Sequence, residues 1–376
     1  MEYKRLGDVI SIKKGKKIEQ VEESENTIRY IQIDDLRNND NLKFCEKNDK
    51  YVIAKEKDII IAWDGANAGT VGFGLNGAIG STLARLDINH DEIDTIYCAM
   101  FLRSKFRYLR EKCTGATIPH LSRASLEDLK LPKPSLKTQK KIVEVLDKSQ
   151  SLIDKKREQI DLLDELVKSR FIDMFGDPVI NSKNWETVEL RCCIQEIKYG
   201  TSTPPNFSEQ GIPFIRATNI KEGRIVENDM KYISEEEAKK IEKCKLSLGD
   251  TIIVRSGANT GDNTFVPEKY VDCYGGYDII VKLNEKINYR FLNVLLNSVY
   301  REVVIQPLTR RAGQPHLNSE QIQSLMVYLP PIELQNEFAE FVTQTDSIRS
   351  KMETSLSELE DNFNSLMQRA FKGELF

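Results

Sequence analysis

The chain has 376 residues, more than one compact core usually holds, so its length predicts two domains. Hydrophobic residues make up 40% and charged residues 30%, the balance of a soluble globular protein. No apolar run reaches the roughly eighteen residues that a membrane helix needs, and the opening residues MEYKRLGDVI lack a secretory signal layout. The formal net charge of −4 argues weakly against a nucleic-acid partner, although an average over the surface can hide a basic stripe.

Cysteine and histidine usage limits the redox and metal chemistry. The chain has seven cysteines and three histidines. No two cysteines have the CxxC spacing, and the neighbours Cys192 and Cys193 lack the spacing of zinc ligands. The histidines are His90, His120 and His316. We therefore expect a protein of the reducing cytoplasm that holds no structural metal.

The first distinctive segment is a basic run at residues 11–18, SIKKGKKI. It contains Lys13, Lys14, Lys16 and Lys17 around a single glycine. Such a run can contact phosphates, or it can be a solvated turn.

The next distinctive segment, WDGANAG at residues 63–69, returns as RSGANTG at 255–261. Three further pairs of segments match in the same order: 6–15 with 190–200, 30–36 with 214–220, and 115–134 with 311–331. The last pair contains a PHL motif in each copy, and beyond it the offset stays fixed, so that Gln139 matches Gln335 and Ile142 matches Phe338. The chain is therefore expected to be a tandem duplication.

Each copy reads as a mixed α/β (α+β) globular segment followed by a long helix. Short apolar runs at 58–61 and 250–254 predict buried strands, and residues 95–111 and 288–304 have helical spacing. Residues 175–185, rich in Gly, Pro, Asn and Ser, separate the copies. We expect a first globular domain at 1–137, a first long helix at 138–176, a linker and second globular domain at 177–334, and a second long helix at 335–376.

The two long helices carry a heptad stripe over about four heptads. An antiparallel coiled coil is the simplest arrangement of two such helices in one chain, and it would separate the two globular domains. Each helix would be about 50 Å long, so the pair could act as a scaffold or could measure the gap between two half-sites on DNA. The residues predicted to pair the helices are Ile142, Leu146, Ile153, Ile160, Leu163, Val167, Phe338, Val342, Met352, Leu356, Leu359 and Phe363.

Three charged residues interrupt this stripe: Lys156, Arg170 and Arg349. They either set the register of the pair or extend their charged ends to solvent.

Catalytic motifs are missing from the sequence. No GxxxxGK[ST] phosphate loop and no GxGxxG turn occurs, and TSTPPNF at 201–207 has the wrong order for the Asn-Pro-Pro-aromatic motif of amino-methyltransferases. A carboxylate-carboxylate-lysine nuclease set could be assembled from Asp229, Glu237 and Lys239, but these residues lie in or near what looks like an exposed helix. For His120 and His316 we expect structural hydrogen bonds.

A loop present twice without catalytic groups points to two binding events. Glycine lets a backbone approach a ligand closely, and Asn67 or Asn259 could hydrogen-bond a base edge or a phosphate. The alternative is that each loop is simply a tight hairpin turn.

The order of these parts resembles the specificity (S) subunit of type I restriction-modification systems. The residues that carry the resemblance are LPKPSLKTQKKIVEVLD at 131–147 and LPPIELQNEFAEFV at 329–342, each leading into a long helix, together with FGDP at 175–178 and the paired GAN loops. The resemblance covers essentially the whole chain. The sequence departs from the PPLxEQ-like run of the family at Thr138 and Leu334, which affects how each helix starts.

The resemblance implies that each globular domain is a target recognition domain that reads one half of a bipartite double-stranded DNA site. It implies that the helices act as spacer and as docking surface for two methyltransferase (M) subunits. Those subunits bind S-adenosylmethionine and methylate adenine, and a restriction (R) subunit with ATP and Mg translocates and cleaves DNA. This chain would bind no cofactor or metal and perform no chemistry itself.

Within this resemblance, loop donors at corresponding places are the candidate DNA contacts. In the first domain they are Lys13, Lys14, Lys16 and Lys17 for phosphates, with Gln32, Asp34, Asp64, Asn67 and Arg123 for base edges. In the second domain they are Lys198, Arg216, Thr218, Asn219, Arg255, Asn259, Arg310 and Arg311. Arg216 and Arg255 rank first because arginine can pair bidentately with guanine.

Two other functions remain open at this point. An autonomous nuclease or methyltransferase with disguised motifs would act on DNA alone. A coiled-coil adaptor whose globular domains bind protein would show no sequence-selective DNA binding.

Overall fold

The computed structural model describes residues 2–115, 117–309 and 315–375. The chain forms two compact units. The first comprises residues 1–157 and 354–376, and the second comprises residues 158–353. Each unit contains one globular head and a part of both long helices; we call residues 2–135 the first head and residues 176–331 the second head.

The first head is built on two four-stranded sheets. Its strands are β1 Tyr3–Arg5, β2 Ile10–Lys14, β3 Thr27–Ile31, β4 Phe44–Glu46, β5 Ile53–Ala54, β6 Ile59–Ala62, β7 Val71–Gly72, β8 Gly77–Ile79, β9 Leu83–Ile88 and β10 Lys130–Pro132. Its helices are α1 Thr95–Ser104, α2 Phe106–Glu111 and α3 Arg123–Glu127. One sheet has the order β2-β9-β6-β7 and is antiparallel throughout; the other has the order β4-β3-β8-β5, with β3 and β8 parallel.

The helix that follows is α4, Leu136–Phe175, with 40 residues. It contains neither glycine nor proline, the two residues that most disfavour a helix interior. It leads into the second head.

The second head repeats the plan of the first. Its strands are β11 Thr187–Glu189, β12 Ile194–Tyr199, β13 Phe207–Ser208, β14 Ile212–Ile215, β15 Ile220–Lys221, β16 Arg224–Ile225, β17 Lys231–Ile233, β18 Thr251–Ile253, β19 Asn263–Phe265, β20 Tyr274–Gly275, β21 Ile279–Leu283 and β22 Met326–Tyr328. Its helices are α5 Glu235–Lys240, α6 Tyr289–Leu296, α7 Gln306–Thr309 and α8 Ser319–Gln323, and α9 Ile332–Lys372 follows it. The sheet β12-β21-β18-β19 matches β2-β9-β6-β7, and β17-β14-β20 matches β4-β3-β8.

The predicted mixed α/β architecture with an internal repeat is therefore confirmed. The structure differs in detail where the sequence predicts continuous helix. Residues 95–111 form two helices, α1 and α2, and the segment 288–304 ends its α-helix at Leu296 before a π-helical turn at Arg301–Ile305.

Within each unit the two long helices run antiparallel. In the second unit, Asp164 of α4 accepts from Arg349 of α9 at 2.6 Å, and Arg170, further along α4, reaches back to Glu337 at 3.2 Å. In the first unit the buried Ile142 and Leu146 share one apolar cluster with Phe371, and Arg157, further along α4, donates to Glu360 at 2.5 Å. Rising residue numbers on α4 thus meet falling numbers on α9.

The predicted helix-pairing residues are all buried or half-buried. Ile142, Leu146, Ile153, Phe338 and Val342 are buried, and the half-buried ones are Ile160, Leu163, Val167, Met352, Leu356, Leu359 and Phe363. Of the polar residues in the stripe, Arg349 is only 6% exposed and also donates to the carbonyl of Ile160, whereas Lys156 and Arg170 are half-buried.

Two equivalent glutamines fasten the starts of the long helices to their heads. Gln139 and Gln335 are fully buried. The Gln139 Oε1 accepts from the backbone of Asp94, the residue that caps α1, at 2.8 Å. Likewise, the Gln335 Oε1 accepts from the backbone of Asn288, the residue that caps α6, at 2.9 Å. Each head is therefore tied to its helix by the same side chain at the same place in the repeat.

The departures at Thr138 and Leu334 leave both helix starts intact. The Thr138 backbone donates to the hydroxyl of Ser135 at 3.3 Å, and that of Leu334 donates to the carbonyl of Pro331 at 3.0 Å.

Candidate nucleic-acid interface

The repeated GAN loops are hairpin turns with the same backbone in both heads. The first joins β6 to β7 and the second joins β18 to β19. Gly65 and Gly69 have φ angles of 97° and 93°, and Gly257 and Gly261 have 95° and 92°. These left-handed angles favour glycine, so the spacing of the two glycines in the motif follows from the shape of the turn.

Each GAN loop is hydrogen-bonded to the PHL motif of its own head. In the first head Gly65 donates to the carbonyl of Pro119 at 2.9 Å, and Leu121 donates to that of Trp63 at 2.8 Å. In the second head Gly257 donates to Pro315 at 3.4 Å, and Leu317 donates to Arg255 at 2.8 Å. We call residues 63–69 with 119–121 the first junction, and residues 255–261 with 315–317 the second junction.

At the first junction, charged side chains form one small cluster. The Asp64 carboxylate lies 2.7 Å from Nδ1 of His120 and 3.2 Å from Nζ of Lys14. The same Lys14 ammonium lies 5.6 Å from the centre of the Trp63 ring. Two predicted DNA contacts, Lys14 and Asp64, are thus neighbours here and bind each other.

At the second junction an arginine lies close to two tyrosine rings. The Arg255 guanidinium carbon is 4.4 Å from the ring centres of both Tyr199 and Tyr277, and its Nη2 lies 3.0 Å from Nε2 of His316. Tyr199 and Tyr277 are 38% and 48% exposed, so the group lies at the surface.

Hydrogen bonding and burial shift two ionisable groups around Arg255. Burial alone would raise the pKa of Tyr199, but hydrogen bonds with Ser319 and the charge of Arg255 give a net lowering. Burial raises the pKa of the Asp278 carboxyl to about 6, although that carboxyl accepts from the backbone of Arg255. Asp278 is therefore a buried acid placed directly behind the arginine.

The other predicted contacts of the first head are either bound to a neighbouring side chain or exposed to solvent. Lys13 pairs with Asp87 at 2.9 Å, and Arg123 pairs with Glu127 at 2.7 Å on α3. Lys16, Lys17 and Asp34 are exposed. Gln32 accepts from Lys43 at 2.6 Å, and Asn67 accepts from Arg37 at 2.5 Å. The Asn67 bond joins the GAN loop to the turn that holds Asp34.

In the second head, Arg216 pairs with Asp229 at 3.0 Å, and Lys198 donates to the carbonyl of Lys245 at 3.4 Å. Thr218 is exposed, and Asn259 donates to the carbonyl of Ala217 at 3.5 Å. Arg310 and Arg311 lie outside the described residues.

Asn219 requires a correction as a DNA contact. Its side chain is fully buried. Its Oδ1 accepts from the Arg216 backbone at 3.2 Å, and its Nδ2 donates to the carbonyls of Val226 and Asn228 at 3.2 and 3.0 Å. These bonds satisfy the amide within the loop, so Asn219 shapes the loop instead of facing a ligand.

The carboxylates of the nuclease alternative are paired with lysine and arginine side chains within the head. Hydrogen bonds from Lys231 and Arg216 lower the pKa of Asp229, and one from Lys240 lowers that of Glu237. Across residues 2–115, 117–309 and 315–375, no group of histidine, cysteine or acidic side chains is arranged to hold a metal ion. None of the helices in this described part is long and apolar enough to cross a membrane.

Sequence reasoning missed the two tyrosines that hold Arg255. Tyr199 lies next to a predicted contact, Lys198, and in the repeat it occupies the place of Lys14. The available signal was that a lysine in one copy of the repeat is aligned with an aromatic residue in the other. Tyr277 follows two glycines and gave no signal of its own.

Comparison with known proteins identifies the family of this chain. A family model described as the type I restriction modification DNA specificity domain matches residues 1–163 and again 182–361. The MjaVIII specificity subunit of Methanocaldococcus jannaschii is 27% identical over 395 residues, which cover 100% of this chain and 92% of that protein. The EcoBI specificity subunit of Escherichia coli is 21% identical over 356 residues, which cover 85% and 74%.

Solved structures show the same fold. The S subunit of a type I restriction-modification system from M. genitalium superposes with a TM-score of 0.59 at 16% identity, over 98% of this chain and 96% of that one. A chain from a structure of type I system assembly and conformational transition gives 0.58 at 17% identity, over 100% and 98%. Since the family model matches two successive segments that together span most of the sequence, the chain belongs to the type I restriction-modification DNA specificity family.

Proposed function

We propose that this chain selects the DNA site of a type I restriction-modification complex and performs no chemistry itself. Each head reads one half of a bipartite double-stranded site. The observation that carries this proposal is the pair of junctions. They have the same backbone conformation and hydrogen bonds but present different side chains at the surface. A scaffold used twice with different side chains suits two different base sequences.

In this proposal the long helices set the gap between the half-sites and dock two M subunits. Three leucines of α4 support docking because they are largely exposed: Leu152 at 56%, Leu162 at 58% and Leu166 at 49%. The M subunits would bind S-adenosylmethionine and methylate adenine, and an R subunit, where one exists, would use ATP and Mg. This chain would hold none of these cofactors.

Sequencing the methylated bases of cells that co-express this chain with its neighbouring methyltransferase subunit tests the proposal. A split motif with methyladenine in both halves, lost when this chain is omitted, is the expected result. A complex that assembles but produces no motif would instead support the protein-binding adaptor.

The role of the helices as spacer has its own test. The compact units meet in the sequence at 157/158 on α4 and at 353/354 on α9. Seven residues inserted at both places leave the internal contacts of each unit in register and add about 10 Å of helix. The gap in the methylated motif should grow by about three base pairs.

Insertion into one helix alone serves as the control, because it shifts one stripe along the other and should abolish methylation. A gap that stays unchanged after the double insertion would show that the helices do not set the spacing.

A further inference from the structure

The two junctions carry the same kind of side-chain pair with its members exchanged. In the first head the cation is on strand β2 and the ring is at the start of the GAN loop: Lys14 lies over Trp63. In the second head the ring is on strand β12 and the cation is at the start of the loop: Tyr199 lies under Arg255. The backbone bonds that join loop and PHL motif are the same in both heads. The exchange therefore changes what the surface offers to a ligand and leaves the scaffold alone.

The stability of the fold does not explain this exchange. A cation over an aromatic ring at an exposed site stabilises a fold only weakly. The backbone bonds of the second junction, such as that from Leu317 to the Arg255 carbonyl, do not involve the guanidinium. The side chain of Arg255 is thus largely independent of the tie between the loop and the PHL motif.

Arg255 is instead fixed in one orientation. Its guanidinium carbon lies 4.4 Å from the ring centres of both Tyr199 and Tyr277, and its Nη2 lies 3.0 Å from Nε2 of His316. A free arginine loses side-chain entropy when a ligand orders it, and part of that loss has already occurred in the folded chain.

We propose that Arg255, held by Tyr199, Tyr277 and His316, selects one guanine in the half-site read by the second head. The ligand group is the O6 and N7 edge of the base in the major groove, which a guanidinium can engage with two parallel hydrogen bonds. In the first head Trp63 occupies the place of Arg255, and the neighbouring Lys14 is bound to Asp64, so its half-site does not use this mode. This inference rests on the proposed function and adds a residue and a base to it.

The experiment uses the full chain in complex with its methyltransferase subunit. Competition binding is measured with a duplex containing the methylated motif and with duplexes in which one base pair of that motif is replaced. For the unmodified complex, replacing the selected guanine should weaken binding roughly 10–100-fold. With Arg255→Gln, this ratio should fall to about 1, and the ratios at every position of the other half-site should stay unchanged.

Two further variants separate selection from structure. Lys240→Gln removes another exposed cation of the second head, one that pairs with Glu237 outside the junction, so its ratios should match those of the unmodified complex. Arg255→Lys keeps the charge but cannot form the paired bonds, so it should retain affinity for DNA and lose most of the preference for guanine.

Two outcomes would overturn the inference. One is a complete set of unchanged ratios in Arg255→Gln; the other is a uniform loss of binding to all duplexes, which would make Arg255 a structural residue. An unmodified complex that prefers no duplex at all would count against the proposed function itself, and so the two failures are distinguishable.

Discussion

Gln335 offers a direct measure of how firmly a head is held to its long helix. In Gln335→Met the side chain keeps its length and apolar volume but loses its amide. The backbone N–H of Asn288 then loses its acceptor, and the carbonyls of Pro330 and Lys286 lose a donor at 2.8 and 3.3 Å. Since a buried polar group without a partner costs about 1–3 kcal/mol, we expect the second unit to lose about 3 kcal/mol of unfolding free energy.

The chain contains its own reporters for this measurement. Of its two tryptophans, Trp63 lies in the first unit and Trp185 in the second, where its indole donates to the carbonyl of Phe175 at 3.0 Å. Urea unfolding followed by fluorescence in Trp63→Phe and Trp185→Phe backgrounds reports the two units separately. With a slope of about 2 kcal/mol per molar urea, Gln335→Met should lower the midpoint seen by Trp185 by about 1.5 M.

The same design contains its controls. Asn336→Ala removes an exposed hydrogen bond to the side chain of Asn288 and should change the unfolding free energy by less than about 0.5 kcal/mol. Gln139→Met should act on the transition seen by Trp63, because Gln139 makes the equivalent bonds in the first unit. A loss below about 0.5 kcal/mol in Gln335→Met would refute the assigned role of the glutamine.

Three further changes test other contacts by the same unfolding assay. Asp164→Leu leaves the buried Arg349 without its carboxylate and should cost about 2 kcal/mol, most of which Asp164→Leu combined with Arg349→Met should restore; equal losses in both would exclude a specific ion pair. The pKa of Asp278 is raised to about 6 in the folded chain, so the stability of its neutral form is present below pH 4 and is lost as the pH rises through 6. Asp278→Asn should therefore be more stable than the unmodified chain by about 2–3 kcal/mol at pH 7.5 and nearly equal to it at about pH 4, and a constant difference would contradict this. Gly200→Ala places a Cβ 1.7 Å from the carbonyl oxygen of Gly276 and should lower the unfolding free energy of the second unit by about 3 kcal/mol or more. Gly15→Ala places a Cβ 2.1 Å from the carbonyl oxygen of Gly80 and should do the same to the first unit; unchanged urea midpoints would show that the two backbone segments can move apart without loss of stability.

Local patterns in the sequence predicted the repeat, the strands before the GAN loops and both long helices. These features depend on neighbouring residues, such as the apolar stripe of α4 and the absence of helix breakers within it. The contact between the GAN loop and the PHL motif could not be predicted in this way. Asp64 and His120 are 56 positions apart, and no periodicity connects them.

The candidate site was predicted only in part for the same reason. Arg255 was selected for its chemistry, but its tyrosine partners come from β12 and from the segment before β21. Asn219 was selected because asparagine can read a base, whereas the structure satisfies its amide within the loop. A side chain's chemistry is visible in the sequence, but its orientation is decided by long-range packing.

The division of the chain into units also affects the order in which it folds during synthesis. The core of the first unit includes Phe371, whose ring packs against Tyr97 and Phe101 at 5.3 and 5.5 Å between centres. The residues of the second unit, 158–353, must all be made before that ring exists. At about 5–20 residues per second, the first head waits roughly 10–40 s on the ribosome with an apolar surface uncovered. The head that is synthesised first is therefore completed last, and it is the one we expect to depend on chaperones.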